Sequence, residues 1–176
     1  TFNSVYEILT PLTTIKKQWF VEWFSGDDLK AYWTKRQATG TGSFAMDDAI
    51  DSGFKITILS GTNAISLIDF NQIRHYSPTA SIIIGVIKAT DNTSSTAEAG
   101  FKNPTNRGDE FFYFGQDTGV SSTNFMVRTS ALTVSSGTAT SIALDTNFHV
   151  HKGELGASDV KYTLDGILEV TKTTDL

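Results

Sequence analysis

Along much of this chain apolar and polar residues alternate, and the alternating runs are separated by clusters of Gly, Asn, Asp, Ser and Pro. A period of two sends successive side chains to opposite faces, the pattern of a strand with one covered side. Trp19, Val21 and Trp23 alternate with Phe20, Glu22 and Phe24, and Ser25-Gly26-Asp27-Asp28 then turns the chain. Beyond Tyr32-Trp33, Gly40-Thr41-Gly42 predicts a break before a short strand at Ser43 to Met46. Asp51-Ser52-Gly53 predicts a turn into Phe54-Lys55-Ile56-Thr57-Ile58, and Ala64 to Phe70 reads as a separate, less regular strand. Ser81-Ile82-Ile83-Ile84-Gly85-Val86-Ile87 is rich in β-branched residues and bounded by Ser77-Pro78-Thr79, so it is expected to lie centrally in a sheet.

Further on, strands are predicted at Ala97 to Lys102, Glu110 to Gly115, Asn124 to Thr129 and Ser141 to Leu144, with polar loops at Asp91 to Thr96 and Asn103 to Asp109. His149 to Leu155 is expected to pair with Val160 to Leu164 across Gly156-Ala157-Ser158-Asp159. Asp165-Gly166 between apolar alternations predicts a two-residue hairpin into Ile167 to Val170. The exception is the N-terminal stretch, where Val5, Ile8, Leu9 and Leu12 sit at near-helical spacing while Pro11 and the following threonines oppose a long helix. Residues 1–23 therefore read as a lead-in segment or docking arm, and 24–176 as one antiparallel β-sandwich or barrel without a repeat or internal linker.

Composition supports strands over helices: 12 Phe, 5 Tyr and 3 Trp accompany abundant Thr, Ser and Ile in 176 residues. No apolar run approaches the roughly 20 residues of a membrane-spanning helix, so membrane insertion is not expected. A net charge of -5 with 14 scattered Lys and Arg leaves no basic stripe for a phosphate backbone, which argues against nucleic acid. With no cysteine, disulfides, thiol catalysis and thiolate metal sites are excluded.

The stretch Phe148-His149-Val150-His151-Lys152-Gly153-Glu154-Leu155, continued by Ser158 to Thr171, resembles the paired strands of concanavalin A-like and laminin G-like domains. Phe24 to Leu29 with Trp33 is similar to the opening strand and corner of that superfamily, and Ala97 to Phe101 to a mid-sheet strand. The resemblance implies a concanavalin A-like jelly roll. Such domains continue past the Asp-Gly hairpin into a further strand, whereas this sequence ends at Asp175-Leu176. The expectation is that the sequence is a fragment, that residues 1–24 fill the place of that strand, or that a neighbouring subunit donates one.

Jelly-roll glycoside hydrolases resemble this fold and carry Glu-x-Asp-x-x-Glu on one strand, where alternation aims two carboxylates into a cleft. This chain lacks that motif, and its adjacent pairs Asp47-Asp48 and Asp109-Glu110 would diverge to opposite faces of a strand. No Gly-x-Ser-x-Gly elbow is present either, so no residue is assigned to catalysis. His149 and His151 share a strand face at a spacing that metal sites use, with His75 or Glu154 as the third ligand. The competing reading is a partly exposed face with two ordinary histidines. Asp27, Asp28, Asp91, Asn92 and Asp117 sit in predicted turns whose oxygens suit calcium, the one cofactor considered, although turns favour these residues anyway. Asn92-Thr93-Ser94 matches a glycosylation acceptor.

A sugar needs an aromatic face flanked by amides or charged groups. Tyr32, Tyr76 and Tyr113 are the candidate platforms, with Asn103, Asn106 and Arg107 in the loop beside Tyr113, while Trp33 and Phe101 are expected in the core. The leading expectation is a noncatalytic structural or attachment module of a virion or cell surface, located on the virion surface or extracellularly. It would be homo-oligomeric or seated among neighbouring structural subunits through Val5, Ile8, Leu9 and Leu12. The alternative is a carbohydrate-binding, lectin-like module, and the third reading is a glycan-active hydrolase with atypical acids.

Overall fold

The computed structural model describes residues 31, 33–47, 53–70, 80–91, 93, 96–102, 111–131 and 134–173. Every regular element among them is a strand, and every pairing is antiparallel. The chain separates into two compact units, Thr1–Arg74 and His75–Leu176, a boundary that the hydrophobic pattern had not marked.

The first unit contains a long two-stranded ladder of β1 (Trp33–Asp47) and β2 (Gly53–Phe70). Its register runs from Trp33 opposite Phe70 to Asp47 opposite Gly53. The break expected at Gly40-Thr41-Gly42 lies inside β1, where register shifts fall between Gln37 and Gly42. Small residues absorb such irregularities as bulges without ending the pairing. For the same reason the two strands expected at Phe54 to Ile58 and Ala64 to Phe70 are one strand, with Gly61-Thr62-Asn63 inside it. Phe44 and Phe54 stack with ring centroids 6.2 Å apart. Trp33, expected in a core, is half-buried here.

The second unit contains β3 (Ala80–Ile87), β4 (Thr96–Lys102), β5 (Phe111–Asp117), β6 (Asn124–Ala131), β7 (Val134–Ala143), β8 (His149–Gly156), β9 (Val160–Leu164) and β10 (Ile167–Lys172). They form two four-stranded sheets of order β10-β9-β8-β3 and β4-β5-β6-β7. Phe112, Phe114, Phe125 and Val127 from one sheet join Val160, Tyr162, Leu164 and Val170 from the other in a single buried cluster. Phe101, also expected in the core, packs against this cluster half-buried. Gly153 makes the close approach feasible: a Cβ there would stand 2.2 Å from Cε1 of Phe114.

Polar side chains stitch β10 to β7. Glu169 Oε2 accepts hydrogen bonds from the Ser141 amide and hydroxyl, at 2.8 and 2.7 Å, and buried Lys172 donates to the Ser136 carbonyl at 3.1 Å. The predicted Asp165-Gly166 hairpin is present, with φ of 49° and 85° at its two central residues and Ile167 opposite Leu164. Two consecutive positive φ values are what a type I′ turn requires, and Asp followed by Gly tolerates them best.

Two expectations are corrected in this unit. Ser81 to Ile87 does form a strand, but β3 stands at the end of its sheet order and pairs with β8 alone among the described strands. Its burial alternates residue by residue, so the unbroken apolar run has one covered face and not two. The face read as partly exposed at the histidine pair is more covered than expected: His151 is buried, His149 is half-buried, and the ring of Phe125 meets both. Alternation from Gly153, whose missing side chain lies over Phe114, sets positions 149 and 151 on the core side of β8.

Candidate functional site

The side of β3 that faces away from the core carries Ile82, Ile84 and Val86, which are 58%, 60% and 65% exposed. Across the register they face Glu154, Lys152 and Val150 on β8. Val150 is itself exposed, as is Phe148 just before β8, with Lys88 Nζ 5.2 Å from the Phe148 ring centre. Farther along β8 the surface turns polar, with Lys152 bound to Glu154 at 2.9 Å and Lys161 to Asp159 at 3.2 Å. Exposed apolar residues are ordinary when scattered, but three at successive outward positions of one strand form a patch of the kind that contacts a partner.

At the other end of the register, His149 ties three segments together. Its Nδ1 lies 2.6 Å from Asp165 Oδ2 in the β9–β10 turn, and its Nε2 lies 2.9 Å from Asp145 Oδ1 in the connection from β7 to β8. Asp165 also joins its turn to β8: its Oδ1 accepts from the Val150 amide at 2.8 Å, and its own amide donates to the Val150 carbonyl at 2.9 Å. Burial alone would lower the pKa of His149, but hydrogen bonds to Asp165 and then Asp145 outweigh it and hold the pKa above the ordinary 6.5. Asp165 is correspondingly lowered, first by His149 and then by the Val150 amide. Behind His149 the buried His151 places Nδ1 2.7 Å from the Tyr162 hydroxyl, and burial pushes its pKa down to about 4.

A third cluster lies on the β4-β5-β6 sheet. Arg128 on β6 reaches across β5, with its Nη1 2.7 Å from Asp117 Oδ2 and 3.6 Å from Glu98 Oε1 on β4. The register shows why this crossing is open: Glu98 and Met126 flank Gly115, which brings no side chain to the row between them. Gly115 has φ of 138°, and a Cβ there would stand 2.3 Å from the Ala97 carbonyl oxygen, so a larger residue is strained. Burial raises the pKa of Glu98 to about 7, with Arg128 opposing that shift and Asp117 adding to it. Glu98 Oε1 is buried without a hydrogen-bond partner, since the guanidinium stands too far for one. Arg128→Met is expected to destabilise the second unit by about 1–2 kcal/mol, because it leaves the largely buried Asp117 carboxylate without its cation and Glu98 to take up a proton. Urea unfolding at neutral pH checks this, and an unchanged midpoint would remove the cluster's energetic role.

Of the residues singled out from the sequence for sugars, Tyr113 is described: it is half-buried and stacks on Phe111 at 4.6 Å, with the Arg128 guanidinium 5.4 Å from the centre of Phe111. Tyr32, Tyr76, Asn103, Asn106 and Arg107 lie outside the described residues, as do the docking positions Val5, Ile8, Leu9 and Leu12. For the metal reading, His149 has both nitrogens on carboxylates, Glu154 sits on the opposite side of β8 with Lys152, and His75 is not among the described residues. No group of three metal-ligating side chains occurs among the described residues.

Of the calcium candidates, Asp91 accepts from the Thr93 amide and hydroxyl, and Asp117 from the Gly119 amide and Arg128. Asp27, Asp28 and Asn92 fall outside the described residues. The sequence reading missed the roles of Glu98, Asp145 and Arg128, which depend on pairings between distant strands or loops. Asp165 it saw only as a turn residue. Comparison with protein-family models, with curated proteins and with solved structures finds no match to this chain.

Proposed function

We propose that this chain is a noncatalytic structural or attachment module of a virion or cell surface, whose second unit is a concanavalin A-like jelly-roll sandwich that contacts a second copy through the outward side of β3. The sandwich reading is supported by the one core that both four-stranded sheets fill. The contact reading rests on one observation, the exposure of Ile82, Ile84 and Val86 in a strand with no charged residue. Burying an isoleucine or valine side chain is worth roughly 1.5–3 kcal/mol, so the three residues on each copy are enough to matter for association.

Light scattering over a series of protein concentrations tests this. The wild-type chain is expected to form a closed oligomer, and Ile84→Lys to weaken its association by about 10- to 100-fold, since the substitution removes one buried contact and adds a charge. The thermal midpoint of the Ile84→Lys monomer should match that of wild-type monomer at high dilution. A wild-type monomer at every concentration would overturn the proposal, and so would Ile84→Lys associating like wild type.

A further inference from the structure

We propose that His149 is a protonation-dependent clasp that fastens the β7–β8 connection to the Asp165-Gly166 hairpin and releases the connection when its imidazole loses a proton. Both ring nitrogens stand within hydrogen-bond distance of carboxylate oxygens, 2.6 Å from Asp165 and 2.9 Å from Asp145, and a carboxylate only accepts. An imidazolium donates at both nitrogens and satisfies both partners. A neutral imidazole donates at one, so the other nitrogen's lone pair faces an anionic oxygen and that contact is lost.

The two contacts are not equally well supported. Asp165 is fixed from behind by two hydrogen bonds with the Val150 backbone, one accepted by its side chain and one donated by its amide, within a tight hairpin. Asp145 has the longer contact and is held by the Asn147 amide, which donates to the same Oδ1 at 2.7 Å. The segment itself is anchored at its start, where the Leu144 amide donates to the Thr123 carbonyl at 2.8 Å. The bond to Asp145 is therefore the one that opens, freeing residues 145–148 while the hairpin stays closed. Among the described residues, no Lys or Arg stands beside His149 as a competing cation. The titratable groups around it are Asp145 from the connection, Asp165 from the turn, His151 from its own strand and Tyr162 behind His151, and β6 contributes the ring edge of Phe125 at 4.9 Å. Lys88 lies against the neighbouring Phe148 ring. The direction of the switch follows from the raised pKa of His149 and the lowered pKa of Asp145, which owes most to the Asn147 amide and next to His149. The clasp is closed between these two titrations and opens as pH rises through that of His149.

The experiment follows the His149 ring protons by NMR through a pH titration of the whole chain, with amide exchange of Asn147 and Phe148 measured at each pH after correction for intrinsic exchange. His149 is expected to titrate above pH 6.5, and the Asn147 amide to exchange about five- to tenfold faster once it has done so. Asp145→Asn, a change in a solvent-facing connection, removes the anion that holds the His149 proton and supplies an amide that accepts from the imidazolium or donates to the neutral ring. It is expected to lower the His149 titration point and to make the exchange of residues 145–148 independent of that titration while Val150 stays protected. Asn147 protection that ignores the His149 titration would overturn the proposal. So would Asp145→Asn leaving both the titration and the exchange as in wild type.

Discussion

Phe114→Ala is expected to lower the unfolding free energy of the His75–Leu176 unit by about 3–5 kcal/mol, the range for deleting a fully buried aromatic side chain. Phe114 has no exposed surface and is the centre of a ring assembly that crosses between the two sheets. Its ring lies 5.6 Å from Phe112 on its own strand, and 5.3 Å from Tyr162 and 6.3 Å from His151 on the opposite sheet. The absence of a side chain at Gly153 lets the ring press against the β8 backbone, so on that side no side chain stands ready to fill the space that alanine would leave. Urea unfolding followed by far-ultraviolet circular dichroism measures the effect. A loss below about 1 kcal/mol would mean that the two sheets do not depend on this core.

The strands were legible where a local signal was sufficient. Alternation located β4, β5, β6 and β8 to β10 closely, and Asp165-Gly166 marked its hairpin because the turn geometry itself demands those two residue types. Glycine was the less reliable guide. Gly166 sits in a turn, whereas Gly40 and Gly42 accompany a bulge and Gly115 and Gly153 mark places where a side chain would collide. A glycine in a strand pattern signals that something comes close, and the sequence alone does not say whether it is a turn, a partner strand or a ring.

The same reasoning explains β3. An Ile and Val run broken only by Gly85 reads as a central strand because soluble proteins seldom leave such residues in water, yet β3 ends the described sheet order and its alternate positions are exposed. That disagreement between composition and position makes β3 worth testing as a contact surface. The clusters around His149 and Arg128 were illegible for another reason. Asp145 and Asp165 flank His149 from two different loops, and Glu98 and Arg128 meet across an intervening strand, so each set exists only once the register is known.

Stability between pH 6.5 and 4 is expected to change little in the wild-type chain and to fall by on the order of 3 kcal/mol in Glu98→Gln, because two buried titrations of opposite sign offset each other. His151 has an ordinary pKa of 6.5 when unfolded and about 4 when folded, since burial and the neighbouring His149 cation both disfavour its charge. As pH falls through this window the unfolded chain takes up the proton first, so the contribution of a neutral His151 beside Tyr162 is lost. Glu98 runs the other way, from 4.5 unfolded to about 7 folded, chiefly through burial. Here the folded chain takes up the proton first, and the penalty of a buried carboxylate is relieved as pH drops from 7 to 4.5. His149, raised above 6.5, loses its contribution on the alkaline side of the window, and the lowered carboxylates Asp91, Asp145 and Asp165 lose theirs below 3.8. Glutamine at position 98 keeps the volume of glutamate and removes its titration, which leaves the His151 term uncompensated. Urea unfolding at a series of fixed pH values separates the cases. A Glu98→Gln profile as flat as wild type would show that His151 is not held neutral by the core, and a wild-type profile as steep as that of the variant would show that Glu98 ionises freely.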